Sequence, residues 1–187
     1  MDQVTAFSDS GPIIYFAKLR AIEVLHSTFG PVGITPAVYR ETVVAGKSGG
    51  KPDAVIIERA LEAGLVQRRE MDGEELRLAD ALESTGRSLG RGECETIACG
   101  EHLSLPVILQ DRKATVLAAA RGVRTLLPHS VLVHGLLGGQ IAPEEFHRLL
   151  RGLAGLTNMS ASYLLELQEL GTVIERQRGG PGARRDD

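Results

Sequence analysis

The chain has 187 residues, 43% hydrophobic and 24% charged, with a formal net charge of -3. That length suits one domain with a full core, and no global basic field advertises nucleic acid. Aromatic content is only 4% with no Trp, so the core is aliphatic and material for base-stacking platforms is scarce.

Cys94 and Cys99 lie five apart in one predicted helix, facing partly different ways. They read as small buried hydrophobes rather than a disulfide. His26, His102, His129, His134 and His147 follow no zinc spacing and read as surface or packing residues. There is no basic-then-apolar leader and no apolar run of membrane-spanning length, so the expectation is a reduced, cytoplasmic protein.

In chain order, Val4 to Phe7 reads as a buried first strand, stopped by Ser8-Asp9-Ser10-Gly11-Pro12. Pro12 suits the first turn of a helix with Asp9 or Ser10 as its cap. An apolar face then runs from Ile13 to Phe29 with a break near Arg20. Pro31 to Ile34 reads as a second strand, and Thr35-Pro36 opens a helix ending at Gly46. Gly46 to Pro52 reads as a flexible loop, Pro52 to Gly64 as a helix, and Leu65-Val66 as the start of a strand. Gly73 to Glu83 is a charged amphipathic helix with Leu76, Ala79 and Leu82 inward.

The stretch Gly90 to Asp111 organises the rest. A Gly-Arg-Gly turn enters a helix with Glu93 and Glu95 in its first turn, and the apolar run Val107 to Leu109 then ends on Asp111. Arg112 to Arg121 reads as a helix, Val123 to Leu127 as a strand, and His129 to Leu137 as a helix. Residues 143 to 170 read as a helical hairpin, and 176–187 as a disordered, low-complexity tail. Strands alternating with helices argue for a parallel α/β sheet.

Asp9 and Asp111 each follow an apolar strand, and in a parallel sheet those ends share the edge where ligands bind. Each acid also has an ordinary structural account. Asp9 and Asp111 suit helix caps, Glu41 a solvated helix position, and Glu93 and Glu95 a helix dipole. Brought together, they would repel until a divalent cation such as Mg²⁺ or Mn²⁺ joined them. Other phosphate and acyl chemistries fit poorly. GxxxxGK[ST], GxGxxG and GxSxG are absent, and Gly11 stands where an aspartyl-phosphate phosphatase would want a second acid.

The segments SDSGPIIYFAKL, TPAVYRETV, LGRGECETIA, VILQDRKATVLAAARGV and AGLTNMSASYLLEL together resemble the PIN-domain proteins, within them the VapC-like group. The likeness covers residues 4 to 170. It implies a PIN-like three-layer α/β/α fold with a small parallel sheet and a C-terminal helical hairpin. The implied units are a PIN-like α/β domain over 1–139 and a helical extension over 140–175 packed on it.

The implied activity is Mg²⁺- or Mn²⁺-dependent endoribonuclease cleavage, as the toxin of a toxin–antitoxin pair. By resemblance Asp9, Glu41, Glu93 and Asp111 are the catalytic acids, with Asp9, Glu93, Glu95 and Asp111 as metal-ligand candidates. The family's third acid falls within Glu93-Cys94-Glu95, and Glu93 is preferred because it directly follows the glycine turn. Ser10 and Gln110 support the site. Related chains often read Asp-Asp where this one reads Gln110-Asp111, and Gln110 brings no charge.

Arg40, Arg87, Arg91, Arg112 and Lys113 are the basic residues nearest these acids, and Arg91, Arg112 and Lys113 are the main candidates for RNA phosphates. A homodimer and an antitoxin that silences the pocket with an inserted Arg or Lys are the expected partners. Apolar faces over Ile13–Phe29 and Val38–Val44 are the candidate grooves for it. The competing readings are a non-catalytic PIN-like module binding RNA or protein, and a nuclease of DNA.

Overall fold

The computed structural model describes residues 3–84 and 89–178. Five short strands, β1 (Ala6–Ser8), β2 (Val32–Ile34), β3 (Val66–Arg68), β4 (Val107–Ile108) and β5 (Thr125–Leu126), form one all-parallel sheet in the order β3-β2-β1-β4-β5. Ala6 aligns with Val32, Phe7 with Val107, and Ile108 with Leu126.

On leaving β1 the chain enters α1 (Ser10–Lys18) and α2 (Ile22–Phe29), separated at Arg20, whose φ is 51°. After β2 come α3 (Pro36–Tyr39), a π-helical turn over Arg40–Val44, α4 (Ala45–Ser48) and α5 (Pro52–Glu62). After β3 come α6 (Gly73–Ser84) and α7 (Arg91–Leu103). α8 (Arg112–Ala120) joins β4 to β5, and α9 (Pro128–Gly138), α10 (Pro143–Thr157) and α11 (Ala161–Arg178) follow.

Successive residues of a strand point to opposite faces, and here each face has its own core. Ala6, Val32, Ile34, Ile108 and Leu126 face a large core with Ile13, Phe16, Leu25, Ile57, Leu132, Phe146 and Leu150. Phe7, Val107 and Leu109 face a second core with Leu82, Ile97, Leu117 and both cysteines. The result is the expected three-layer α/β/α sandwich. Leu149 and Leu153 of α10 and Leu167 and Ile174 of α11 belong to the first core, which holds the C-terminal hairpin against α9. Where α7 crosses β4, a Cβ at Gly100 would come within 2.4 Å of the Val107 side chain, so only glycine permits that approach.

Three local expectations change. The stretch taken as a loop from Gly46 begins helical, because the π-turn carries the chain into α4 as far as Ser48. In α6, Leu76 is exposed while Glu75 is fully buried. Arg69 Nη1 lies 2.7 Å from both Glu75 carboxylate oxygens, so an acid replaces the apolar residue at that inward position. The tail expected from Arg176 starts later. Residues 176–178 complete α11, where Arg178 donates to the carbonyl of Leu136, and 179–187 lie outside the described residues.

The faces over Ile13–Phe29 and Val38–Val44 are spent mainly on the core, with Val44 exposed. Both thiols are buried and free, and burial raises their pKa values to about 11 and about 12. Among the described residues no helix is long and apolar enough to cross a membrane.

Candidate active site at the sheet switch point

The strand order reverses between β1 and β4: β2 and β3 lie to one side, β5 to the other. Loops leaving the two strands must diverge there, which opens a crevice at their C-terminal ends. Asp9 follows β1 directly, its amide donating to the carbonyl of Ile108 at 3.1 Å. Asp111 closes the segment after β4 and caps α8, its Oδ1 accepting from the amides of Lys113 at 2.7 Å and Ala114 at 3.0 Å. That cap occupies one carboxylate oxygen, so the ordinary account of Asp111 holds for half of its side chain. Asp9 stands at the N-cap of α1 but makes no capping side-chain bond, and is only 8% exposed.

Two further acids come from helices. Glu41 lies in the π-helical turn, a wider coil that re-aims side chains and often marks functional sites. Its carboxylate accepts a short hydrogen bond from the Ser10 hydroxyl. Glu93 sits in the first turn of α7, its Oε2 accepting from the Gly90 amide at 2.8 Å.

Gly92 shows how closely these groups meet. A Cβ there would stand 3.0 Å and 3.2 Å from the two Glu41 carboxylate oxygens and 3.3 Å from Asp9 Oδ1. Burial, then the nearby Glu93 and Glu41 charges, push the Asp9 carboxyl up to about 6, against the opposing pull of the Ser10 and Gly11 amides. Burial also raises Glu93, with the Asp111 and Glu41 charges adding to it, although the Gly90 amide and the charge of Lys113 act against the shift. Among the described residues, none of the four acids forms a salt bridge. A crowd of carboxylate oxygens with no cation in salt-bridge contact fits a hard divalent ion.

The family model described as DUF3368, a PIN domain, matches residues 5–156. The chain belongs to the PIN-domain family. No curated protein matches it significantly. The PIN domain is in general a nuclease fold, and its nucleases typically use a divalent metal.

In this PIN domain Glu93 and Glu95 part company. Glu95 is 3% exposed, and its oxygens accept from the Ala37 amide at 2.8 Å and from Arg91 Nε at 2.9 Å, with Arg40 at 4.0 Å. It ties α7 to the start of α3 instead of joining the other acids. Arg91 is equally engaged, its Nη1 reaching Asp80 at 2.6 Å and Glu83 at 2.8 Å. Arg112 and Lys113 are exposed and free of salt bridges among the described residues, whereas Arg87 lies outside them.

A tighter group that sequence reading missed is Asp72, Glu75 and His102, whose ligand atoms all lie within 4.8 Å of one another. Its geometry has a structural account. Asp72 Oδ1 accepts from the amides of Glu74 and Glu75, Glu75 Oε2 accepts from the Asp72 amide, and Arg69 already neutralises Glu75. This is a reciprocal cap of α6 with a buried ion pair, reinforced by His102 Nε2 at 3.4 Å from Asp72. Its one fully buried carboxylate, Glu75, is already paired with the Arg69 guanidinium.

Proposed function

We propose that this PIN-domain protein is a Mg²⁺- or Mn²⁺-dependent endoribonuclease that hydrolyses RNA phosphodiester bonds. The observation that carries the reading is the convergence of Asp9, Glu41, Glu93 and Asp111 at the β1/β4 switch point with no salt bridge to any of them among the described residues. Asp9, Glu93 and Asp111 would hold the ion. When bound, it supplies Lewis acidity and neutralises charge on the phosphate and the leaving oxygen.

The chain's own groups do the rest. The Ser10 hydroxyl fixes Glu41, leaving that carboxylate's other oxygen to orient a water or take its proton. Capping α8 holds Asp111 in one rotamer. Arg112 and Lys113, which follow Asp111 and form no salt bridge among the described residues, offer cations to the phosphates around the cut. Gln110 gives a neutral amide where a second acid would add charge. The metal set is therefore Asp9, Glu93 and Asp111, without Glu95.

A toxin role follows from the same reading. A partner's Arg or Lys inserted among the carboxylates would replace the metal's charge and silence the site, and a homodimer would present two such sites. A cytoplasmic setting accords with two buried, free thiols. Gln110 is the feature that favours the second reading, a non-catalytic module binding RNA or protein, since it removes one charge from the crevice.

The test is Mn²⁺ titration calorimetry on the wild type and Asp111→Asn, paired with cleavage of a mixed RNA pool and of matched DNA. Metal binding and RNA cleavage in the wild type, both lost in the variant, are the expected result. Wild-type protein that neither binds Mn²⁺ nor cuts RNA would overturn the enzyme reading in favour of the binding module.

A further inference from the structure

Beside the acids lies a cavity of about 310 Å³ that the cleavage reading leaves unused. Its walls come from the segment after β4, from α8, from the start of α9 and from the C-terminal hairpin. Gln110 and Arg112 line it, and these are the residues on either side of Asp111. A Cβ on Gly11 would stand 3.9 Å from Gln110 Cβ, so the same side chain also adjoins the turn that carries Asp9 and Ser10. Gln110 therefore adjoins both the cavity and the turn that carries two of the site residues.

Its chemistry is specific. Val116, exposed on α8, and Met159 in the hairpin turn give apolar walls. Tyr163, 40% exposed, presents an aromatic ring that is held in place. Its hydroxyl lies 2.9 Å from His129 Nε2, and the two rings meet edge to face at 5.3 Å and 89°. A ring fixed by a neighbour has less freedom to lose when something stacks on it. Gln110 can both donate and accept at the edge of a flat heterocycle. Arg112 supplies positive charge at the mouth.

We infer that this cavity seats one unpaired nucleobase next to the scissile phosphate, stacked on Tyr163 and read at its edge by Gln110, with Arg112 on the adjoining phosphate. The inference rests on the ribonuclease reading and adds to it a seat for one base beside the cut. A base engaged in a duplex has no free face to stack, whereas loops and ends do. The volume falls at the lower end of small-molecule sites, which suits one heterocycle and not a peptide helix. Met159 and Tyr163 lie beyond the residues 5–156 that the family model matches, whereas Gln110, Arg112, Val116 and His129 lie within them.

The test uses the full chain carrying Asp9→Asn, so that RNA is bound without being cut. Fluorescence anisotropy follows labelled ten-nucleotide homopolymers of rA, rC, rG and rU. Tyr163→Ala should weaken the best-bound homopolymer about tenfold and flatten the differences among the four. Tyr163→Phe, which keeps the ring, should retain most of the affinity. Arg112→Ala should weaken all four alike and lower the salt dependence. Val116→Glu, at an exposed helix position, repeats the block without touching the His129 contact.

In the active protein, Tyr163→Ala should erase base preference at one position beside the cut. Unchanged affinities and an unchanged cleavage pattern in both Tyr163→Ala and Val116→Glu would overturn the inference and leave the cavity to a protein segment. The two readings fail separately. RNA binding that depends on Tyr163 without any wild-type cleavage would sink the nuclease and keep the base site. Cleavage indifferent to Tyr163 would do the reverse.

Discussion

The hydroxyl of Ser10 donates to the carboxylate of Glu41, joining the first residue of α1 to the π-helical turn that follows α3. Thirty-one positions separate the two residues. The bond holds the exposed Glu41 near Asp9, the side chain with the most raised carboxyl in the site. An exposed helical Glu becomes part of a cluster through that contact and the widened helical coil beneath it.

Gly92 is the tightest test of that cluster. Gly92→Ala should leave the fold intact or slightly firmer, since Ala is favoured over Gly in a helix by about 1 kcal/mol. The added methyl would crowd both Glu41 oxygens and Asp9 Oδ1. Thermal unfolding should therefore show an unchanged or higher Tm, while calorimetry shows Mn²⁺ affinity reduced by roughly tenfold or more. Unaltered metal binding would mean that the carboxylates do not act together at this point.

Asp9 should make the metal-free protein sensitive to pH. Its folded-state value of about 6 lies above the ordinary 3.8. Between these values the native state holds the proton more firmly than the unfolded chain, so this group's contribution to stability falls as pH rises through the window. The loss is on the order of 3 kcal/mol once pH exceeds 6. Asp9→Asn cannot ionise. Denaturant melts in chelator should show the variant gaining on the wild type from pH 4 to 6.5 and then holding a constant advantage, while RNA cleavage falls to background. A stability difference flat across that range would refute the assignment.

Glu93 and Glu95 should separate in function. Glu93→Gln removes a half-buried charge from the acid cluster and should cut Mn²⁺ affinity by about tenfold or more, with little change in stability. Glu95→Ala removes one of the three carboxylates around Arg91 and leaves the Ala37 amide unpaired, so it should destabilise the fold by about 1–3 kcal/mol. Metal stoichiometry of the folded fraction should stay as in the wild type. Urea melts and calorimetry on both variants check the pair of outcomes, and exchanged roles would return Glu95 to the site.

The group formed by Asp72, Glu75 and His102 should behave as structure. Asp72→Asn is expected to leave the number of bound Mn²⁺ ions unchanged. Arg69→Ala should cost about 3–5 kcal/mol, because it leaves the fully buried Glu75 without its cation. One fewer ion in Asp72→Asn would show a second metal site there.

Much of this protein was settled by local sequence. The apolar strand runs, the Pro residues at helix starts and the strand-end positions of Asp9 and Asp111 made the alternating fold and one edge of the site legible, because each depends on neighbours a few residues away. The resemblance to PIN domains gave Glu41 and the acid beside Cys94 their expected roles. What local pattern could not carry was orientation. Nothing in GECE distinguishes Glu93 from Glu95. Their roles part because α7 packs beside α3, which gives Glu95 an amide and a guanidinium and leaves Glu93 facing the acids. Arg91 looked available until α6 brought Asp80 and Glu83 to it. Leu76 and Glu75 exchanged places because Arg69 reaches the buried carboxylate. A lone Tyr163 in an aromatic-poor chain acquired significance only when the hairpin laid it across the cavity next to Asp111. Sequence determined which elements form. Long-range packing decided which charges meet, since charge pairing depends on distance in space and not along the chain.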